Sequence, residues 1–266
     1  MIRRALLRAS SVAADAADFL LGRREDMLPP RRLRDVGSGD FIQIGEEFLG
    51  HFRNLGGLGR TDRVLDVGCG IGRMAIPLTR YLEAGGLYEG FDIVPSAIRW
   101  CQRHITPRFP HFRFQLADVY NSRYNRRGGQ PAASYRFPFA EETFDFAFLT
   151  SVFTHMLPPQ VERYTVELRR VVRPGGRLLV TFFLLNPESE GLLRRGRSSI
   201  DFPHDLGTHR LLRERTPEAA VAYREDWVRG LFERNGLAVR EPISWGEWCG
   251  REQFSSYQDI LIVDRP

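Results

Sequence analysis

Residues 63–73 read Arg63-Val64-Leu65-Asp66-Val67-Gly68-Cys69-Gly70-Ile71-Gly72-Arg73. Val64, Leu65 and Val67 form a short apolar run, of the kind that makes a strand buried on both faces. Asp66 interrupts it where that strand should end. Gly68, Gly70 and Gly72 alternate behind it, and a helical pattern then runs from Met74 to Leu82. Strand, glycine turn and helix make a nucleotide-type cradle, because glycine turns sharply and lets a ligand approach the backbone with no Cβ in the way.

The spacing narrows the ligand. A dinucleotide turn needs G-x-G-x-x-G, and position 73, where its last glycine belongs, is Arg. No G-x-x-x-x-G-K-[ST] phosphate loop occurs. An acid at the strand tip repels a pyrophosphate and attracts an ammonium group. These features ask for a phosphate-free, adenosine-like molecule carrying a positive amine, which S-adenosylmethionine is. The stretch resembles the first motif, V-L-D-x-G-x-G-x-G, of the class I S-adenosylmethionine-dependent methyltransferases, and the likeness extends at motif level over roughly residues 60–185. The resemblance implies an α/β fold: a Rossmann-like, seven-stranded, mostly parallel sheet with an antiparallel last strand and helices on both faces. It also implies that Asp66, Gly68, Cys69, Gly70, Gly72 and Arg73 surround the cofactor.

Downstream segments extend the match. Leu87–Ile93 reads as the second strand, and Asp92 lies 20 residues beyond Gly72. A carboxylate there, with Ile93 beside it, can accept hydrogen bonds from both ribose hydroxyls. Residues 112–118 alternate as a third strand closed by Asp118. In the family, the acid at this place takes the adenine amino group, with the backbone of Val119 adjacent. Asp66, Asp92 and Asp118 recur every 26 residues, as for a ligand laid across the strand tips of a parallel sheet. Phe144–Thr150 is the fourth strand, and Thr150 and Ser151 at its carboxyl end face the methyl donor. A helix from Pro158, an Arg173-Pro-Gly-Gly-Arg177 turn and a fifth strand over 178–185 match the family again. A helix over 226–235 precedes two final strands, 237–242 and 257–263, expected as an antiparallel edge pair.

The 266 residues suit one α/β domain with extensions: an N-terminal helical part over 1–59, then a methyltransferase domain over 60–266 with insertions near 119–139 and 186–224. In the extension, Asp40 caps a helix with Phe41, Ile44, Phe48 and Phe52 at helical spacing, either lying over the cofactor or packed on the sheet. The first 22 residues carry a basic, amphipathic pattern that suits a cap helix, the alternative being a membrane-surface helix; Asp15 and Asp18 argue against a transit peptide. Net charge is +5, yet all 38 basic residues are Arg and they are scattered, so no nucleic-acid face is expected. Three cysteines without metal-ligand spacing point to a reducing, cytoplasmic setting. No apolar run is long enough for a membrane span. The oligomeric state is not legible.

Methyl transfer is an in-line displacement, so the protein mainly positions the acceptor and excludes water. A hydroxyl acceptor needs a base, and His155, just past the fourth strand, is the candidate; the alternative is a packing histidine bonded to the backbone. Tyr120, Tyr124 and Arg126 in the first insertion, with Phe183 and Tyr257, are candidates to line the acceptor pocket. His204, Asp205 and His209 match no standard metal spacing, and no metal is expected. The reading is O-methylation of a small-molecule or sugar-like metabolite. Its alternatives are an RNA methyltransferase or a non-catalytic S-adenosylmethionine binder; Arg73 disfavours a nicotinamide oxidoreductase.

Overall fold

The computed structural model describes residues 27–34 and 39–266. The amphipathic pattern of residues 1–22 lies outside the described residues.

Seven strands form the main sheet: β1 (Arg63–Val67), β2 (Leu87–Asp92), β3 (Phe112–Leu116), β4 (Phe144–Leu149), β5 (Val172–Phe182), β6 (Ala238–Val239) and β7 (Asp259–Asp264). Their order is β6-β7-β5-β4-β1-β2-β3. Strands β1 to β5 are mutually parallel, and β7 runs antiparallel to both β5 and β6. The chain grows outward from β1 to β3, then returns to place β4 on the other side of β1. That reversal opens a crevice at the carboxyl ends of β1 and β4, where sheets of this kind bind ligands.

The apolar runs bury both faces by simple alternation. Val64, Tyr88, Phe112, Phe146 and Phe148 point into one core with α1 (Phe41–Asn54), α2 (Ala75–Leu78) and α3 (Pro95–His104). Leu65, Val67, Phe91, Leu149, Val180 and Leu261 point into the other, under α4 (Pro158–Val171) and α6 (Glu225–Arg234). Asp40 caps α1 as expected, accepting from the amides of Ile42 and Gln43. Phe52 of α1 is fully buried, its ring 4.2 Å from that of Phe148. The leading helix is thus packed on the sheet.

Some of the local readings need correction. The helix expected over 74–82 is regular only over Ala75–Leu78 and continues mostly as i→i−3 turns to Leu82; Pro77, with no amide to give the carbonyl of Arg73, removes one rung at its start. Arg173–Arg177 is not a turn ahead of the fifth strand but a bulge within it, since Phe144 pairs Val172 and Phe146 pairs Arg177. The fifth strand leaves the main sheet at Phe182. Leu184–Leu185 then starts a second sheet with Val221–Arg224, His209–Leu211 and His204–Asp205.

Together with α5 (Pro187–Arg194), that sheet fills the second insertion, expected only as an extension near 186–224, around a small core of Phe183, Leu185, Leu192, Phe202 and Trp248. The first insertion, before β4, is partly ordered into the core. A ladder of Val119–Tyr120 with Gln130–Pro131 closes its tip, while Tyr135 and Phe137 pack against Phe91 and Tyr164. No helix among the described residues is long and apolar enough to cross a membrane.

Candidate active site

The glycine turn behaves as its spacing demands. Gly68, Gly70 and Gly72 have φ of +81°, +52° and +82°, a region closed to most side chains. The amides of Gly68 and Cys69 both donate to Phe91 O on β2, at 2.9 and 3.1 Å. A Cβ on Gly68 would meet Val152 Cγ2 at 2.5 Å, and one on Gly72 would meet Ile105 Cδ1 at 2.9 Å. A side chain at either position would have to push those methyl groups aside as well as bear the left-handed backbone. A Cβ on Gly70 would meet nothing within 4 Å, so this residue leaves an open face.

Two carboxylates support the turn differently. Asp92 Oδ2 accepts from the Gly70 amide and Oδ1 from the Val94 amide, both at 2.8 Å. Burial pushes its carboxyl up, and these amides pull it down. Each oxygen keeps a lone pair for a further donor. Asp66 is 1% exposed and lies in β1 beneath the turn. Tyr88 donates its hydroxyl to Asp66 Oδ2 at 2.5 Å, while Oδ1 is buried with no partner. Burial pushes this carboxyl up to about 8; the Tyr88 hydrogen bond opposes the rise and the charge of Asp92 adds to it. Tyr88 went unremarked as a site residue, although its alternation in the second strand faces it toward Asp66.

The other cofactor candidates divide. Cys69 is buried and its thiol is pushed well above the ordinary value, chiefly by burial, so it is a small packing group. The Arg73 guanidinium lies 5.5 Å from the centre of the Phe41 ring on α1. Ile93 is half-buried and Val119 buried. Asp118 is exposed, past the end of β3, and accepts the Gly129 amide at 3.0 Å. It therefore holds the tip of the first insertion.

Past β4, Thr150 is half-buried and Ser151 is exposed with φ +58°. A left-handed serine is uncommon and is held here by its neighbours. The Ser151 amide donates to Thr181 Oγ1 at 2.8 Å, and the Ser151 hydroxyl donates to Gln258 Oε1 at 3.1 Å. Neither Thr181 nor Gln258 stood out in the sequence.

His155 follows in a short 3-10 turn, Phe153–His155. Its Nδ1 lies 3.0 Å from the carbonyl oxygen of Glu218. A carbonyl only accepts, so the proton is on Nδ1 and Nε2 keeps its lone pair. Burial lowers the imidazole pKa, partly offset by the bond to Glu218. The Tyr124 ring stands edge-on to His155 at 6.3 Å. Ser122 donates its hydroxyl to Glu218 Oε2 at 2.6 Å, so Glu218 joins the two insertions beside the histidine.

Tyr120 and Tyr257 are 48% and 42% exposed. The Arg126 Nε donates to Ser122 O at 2.8 Å, within its own loop. Phe183 is 3% exposed among Phe202, Trp248 and Tyr257, so it backs the region instead of lining open space. Among the described residues, no group of three or more His, Cys, Asp or Glu is assembled to hold a metal ion.

A glycine turn at the reversal point of a parallel sheet, carboxylates on adjacent strands and an antiparallel seventh strand define the Rossmann-like fold of class I methyltransferases. Residues 65–180 match the family model described as methyltransferase domain. They form a class I, S-adenosylmethionine-dependent methyltransferase domain. The chain is 34% identical over 128 residues to phthiotriol/phenolphthiotriol dimycocerosates methyltransferase 1 of Mycobacterium ulcerans, covering 48% of this chain and 39% of that one. It is 30% identical over 176 residues to the 23S rRNA (guanine(748)-N(1))-methyltransferase of Streptomyces fradiae, covering 66% of this chain and 49% of that one. The chain thus spans less than half the length of either relative. The crystal structure of the PH0226 protein from Pyrococcus horikoshii OT3 has the same fold, with a TM-score of 0.58, 17% identity, and coverage of 87% of this chain and 94% of that one.

Proposed function

We propose that this protein transfers a methyl group from S-adenosylmethionine to a hydroxyl of a small-molecule or sugar-like acceptor. The observation that carries the reading is the open face of Gly70, between Gly68 and Gly72 and beside two carboxylates, the buried Asp66 and the half-buried Asp92. That set fits the cofactor: a cradle whose free side a Cβ would fill, and a buried Asp66 Oδ1 still without a partner. Asp66, Gly68, Gly70, Gly72, Asp92 and Ile93 hold it in this reading, with Asp118 and Val119 toward the adenine and Thr150 and Ser151 toward the methyl group. When bound, the cofactor supplies an electrophilic methyl group.

The chain's own residues position the acceptor and accept its proton. His155 presents Nε2, because its Nδ1–H is committed to Glu218 O, and burial favours its neutral form. Tyr120, Tyr124, Arg126 and Tyr257 border the acceptor side, with Phe183 behind them. The test has two arms: calorimetry with S-adenosylhomocysteine, and labelled methyl transfer to a panel of alcohols, phenols, amines and RNA. Label in a hydroxyl compound supports the reading. Label in amines alone overturns the O-methylation part, and failure of S-adenosylhomocysteine to bind overturns the whole.

The name of the Streptomyces fradiae relative favours a second reading, methylation of RNA. It predicts label in RNA and binding that weakens steeply with salt, as contacts to several phosphates require.

A further inference from the structure

At the carboxyl ends of β4 and β5 three side chains form a closed polar network. The Thr181 hydroxyl donates to Gln258 Oε1 at 2.7 Å, and the Ser151 hydroxyl donates to the same oxygen at 3.1 Å. Thr181 Oγ1 in turn accepts the Ser151 amide at 2.8 Å. Both hydroxyl protons are therefore spent on one amide oxygen, and the amide nitrogen faces away from them. Its Nε2 is left with no partner among the described residues. Gln258 is only 9% exposed, yet Nε2 is absent from the buried unpartnered atoms, so it opens to solvent. Open to solvent, its two N–H donors are hydrated and stand ready for an acceptor that displaces that water.

The network adjoins the cofactor turn. Ser151 is followed by Val152, whose side chain closes on the Cα of Gly68. Next to Gln258 stands Tyr257, exposed and bonded through its hydroxyl to Ser199 Oγ at 3.2 Å. Donor and acceptor lie side by side here: Gln258 Nε2 offers protons, and Ser151 Oγ, having given its proton away, offers lone pairs. A neutral hydroxyl matches that pair, accepting from Nε2 and donating to Oγ. A carboxylate has no proton for Oγ, and an ammonium has no lone pair for Nε2.

We propose that Gln258, with Ser151, is the residue pair that recognises the hydroxyl of the methyl acceptor. The inference rests on the methyltransferase reading for the identity of that acceptor, and its test is separate. The full chain, with glutamine side chains labelled with 15N and S-adenosylhomocysteine present, is titrated with phenol and with toluene, which has the same ring without the hydroxyl. Phenol shifts the Gln258 NH2 resonances and toluene does not. Gln258→Glu keeps an oxygen for Thr181 and Ser151 and deletes both donors. Loss of one such hydrogen bond weakens phenol binding roughly ten-fold, with S-adenosylhomocysteine affinity unchanged. Gln258 resonances that ignore phenol, or that answer phenol and toluene alike, overturn the assignment, as does a Gln258→Glu variant that binds phenol as well as the parent. If S-adenosylhomocysteine fails to bind, the methyltransferase reading falls, while phenol added to the protein alone still judges Gln258.

Discussion

Binding of the cofactor should expel a proton from beneath the glycine turn. Asp66 is buried, holds one hydrogen bond from Tyr88, and has its carboxyl pushed up to about 8. At pH 7 such a group is about 90% protonated in the ligand-free fold. An ammonium arriving beside it favours the carboxylate, so binding lowers that pKa and releases about 0.9 proton. Affinity for S-adenosylhomocysteine therefore rises with pH, by up to about ten-fold per unit below 8, and flattens above it. Calorimetry in buffers of different ionisation enthalpy measures the proton count directly as a slope. The slope is near 0.9 at pH 7, close to zero at pH 9, and absent in Asp66→Asn. Tight binding with no buffer dependence at pH 7 would refute the assignment of Asp66 to the amine. The same raised value has a consequence for the empty protein. Between the ordinary 3.8 and about 8 the folded chain binds the extra proton, so Asp66 makes stability fall as pH rises through that window.

Gly70→Ala leaves packing intact, costs about 1 kcal/mol of stability for its left-handed backbone, and blocks S-adenosylhomocysteine in calorimetry; Gly68→Ala adds a collision with Val152 and unfolds at distinctly lower urea. His155→Gln lowers transfer to an alcohol by about 10²–10⁴-fold while leaving cofactor affinity unchanged. In the parent protein the rate falls as pH drops through the lowered imidazole pKa, below 6.5, and a profile without that acid limb removes His155 from the mechanism. Arg251→Met strands buried Asp259, whose Oδ1 lies 3.0 Å from the guanidinium, and costs about 3–5 kcal/mol in urea unfolding. Adding Asp259→Asn to that variant recovers part of the loss, because the uncompensated charge is gone.

The cofactor half of the molecule was legible because its signals are local. Gly68, Gly70 and Gly72 announce positive φ by residue type alone, and all three have it. Strands β1 and β4 announce themselves as largely apolar runs because both their faces are covered. Asp92 could be placed because it ends the strand after the turn and bonds back to Gly70. The errors came where short elements replace periodic ones. Strands of two to four residues, such as His204–Asp205 and Val221–Arg224, carry too few side chains to show an alternation. Asp66 lies in the first strand, as its sequence position suggests, but its depth was not legible, since no pattern says whether an acid near a strand end is open or buried beneath the turn.

The acceptor half was not legible because it is made by contacts between distant positions. His155 meets Glu218 across 63 residues, Ser122 meets Glu218 across 96, and Ser151 meets Gln258 across 107. Glu218, Tyr257 and Gln258 all lie beyond residues 65–180, the part that matches the family model. The chemistry on the shared side needs only one cofactor and so tolerates a fixed pattern. Whatever chooses the acceptor must differ between relatives, and here it is borne by residues whose neighbours are set by the second sheet and the antiparallel β7. A glutamine before an apolar strand is ordinary in any sequence. It becomes a recognition group only because Thr181 and Ser151 occupy its oxygen and leave its nitrogen free. That selectivity is a property of three residues from three strand ends, and none of the three carries it alone.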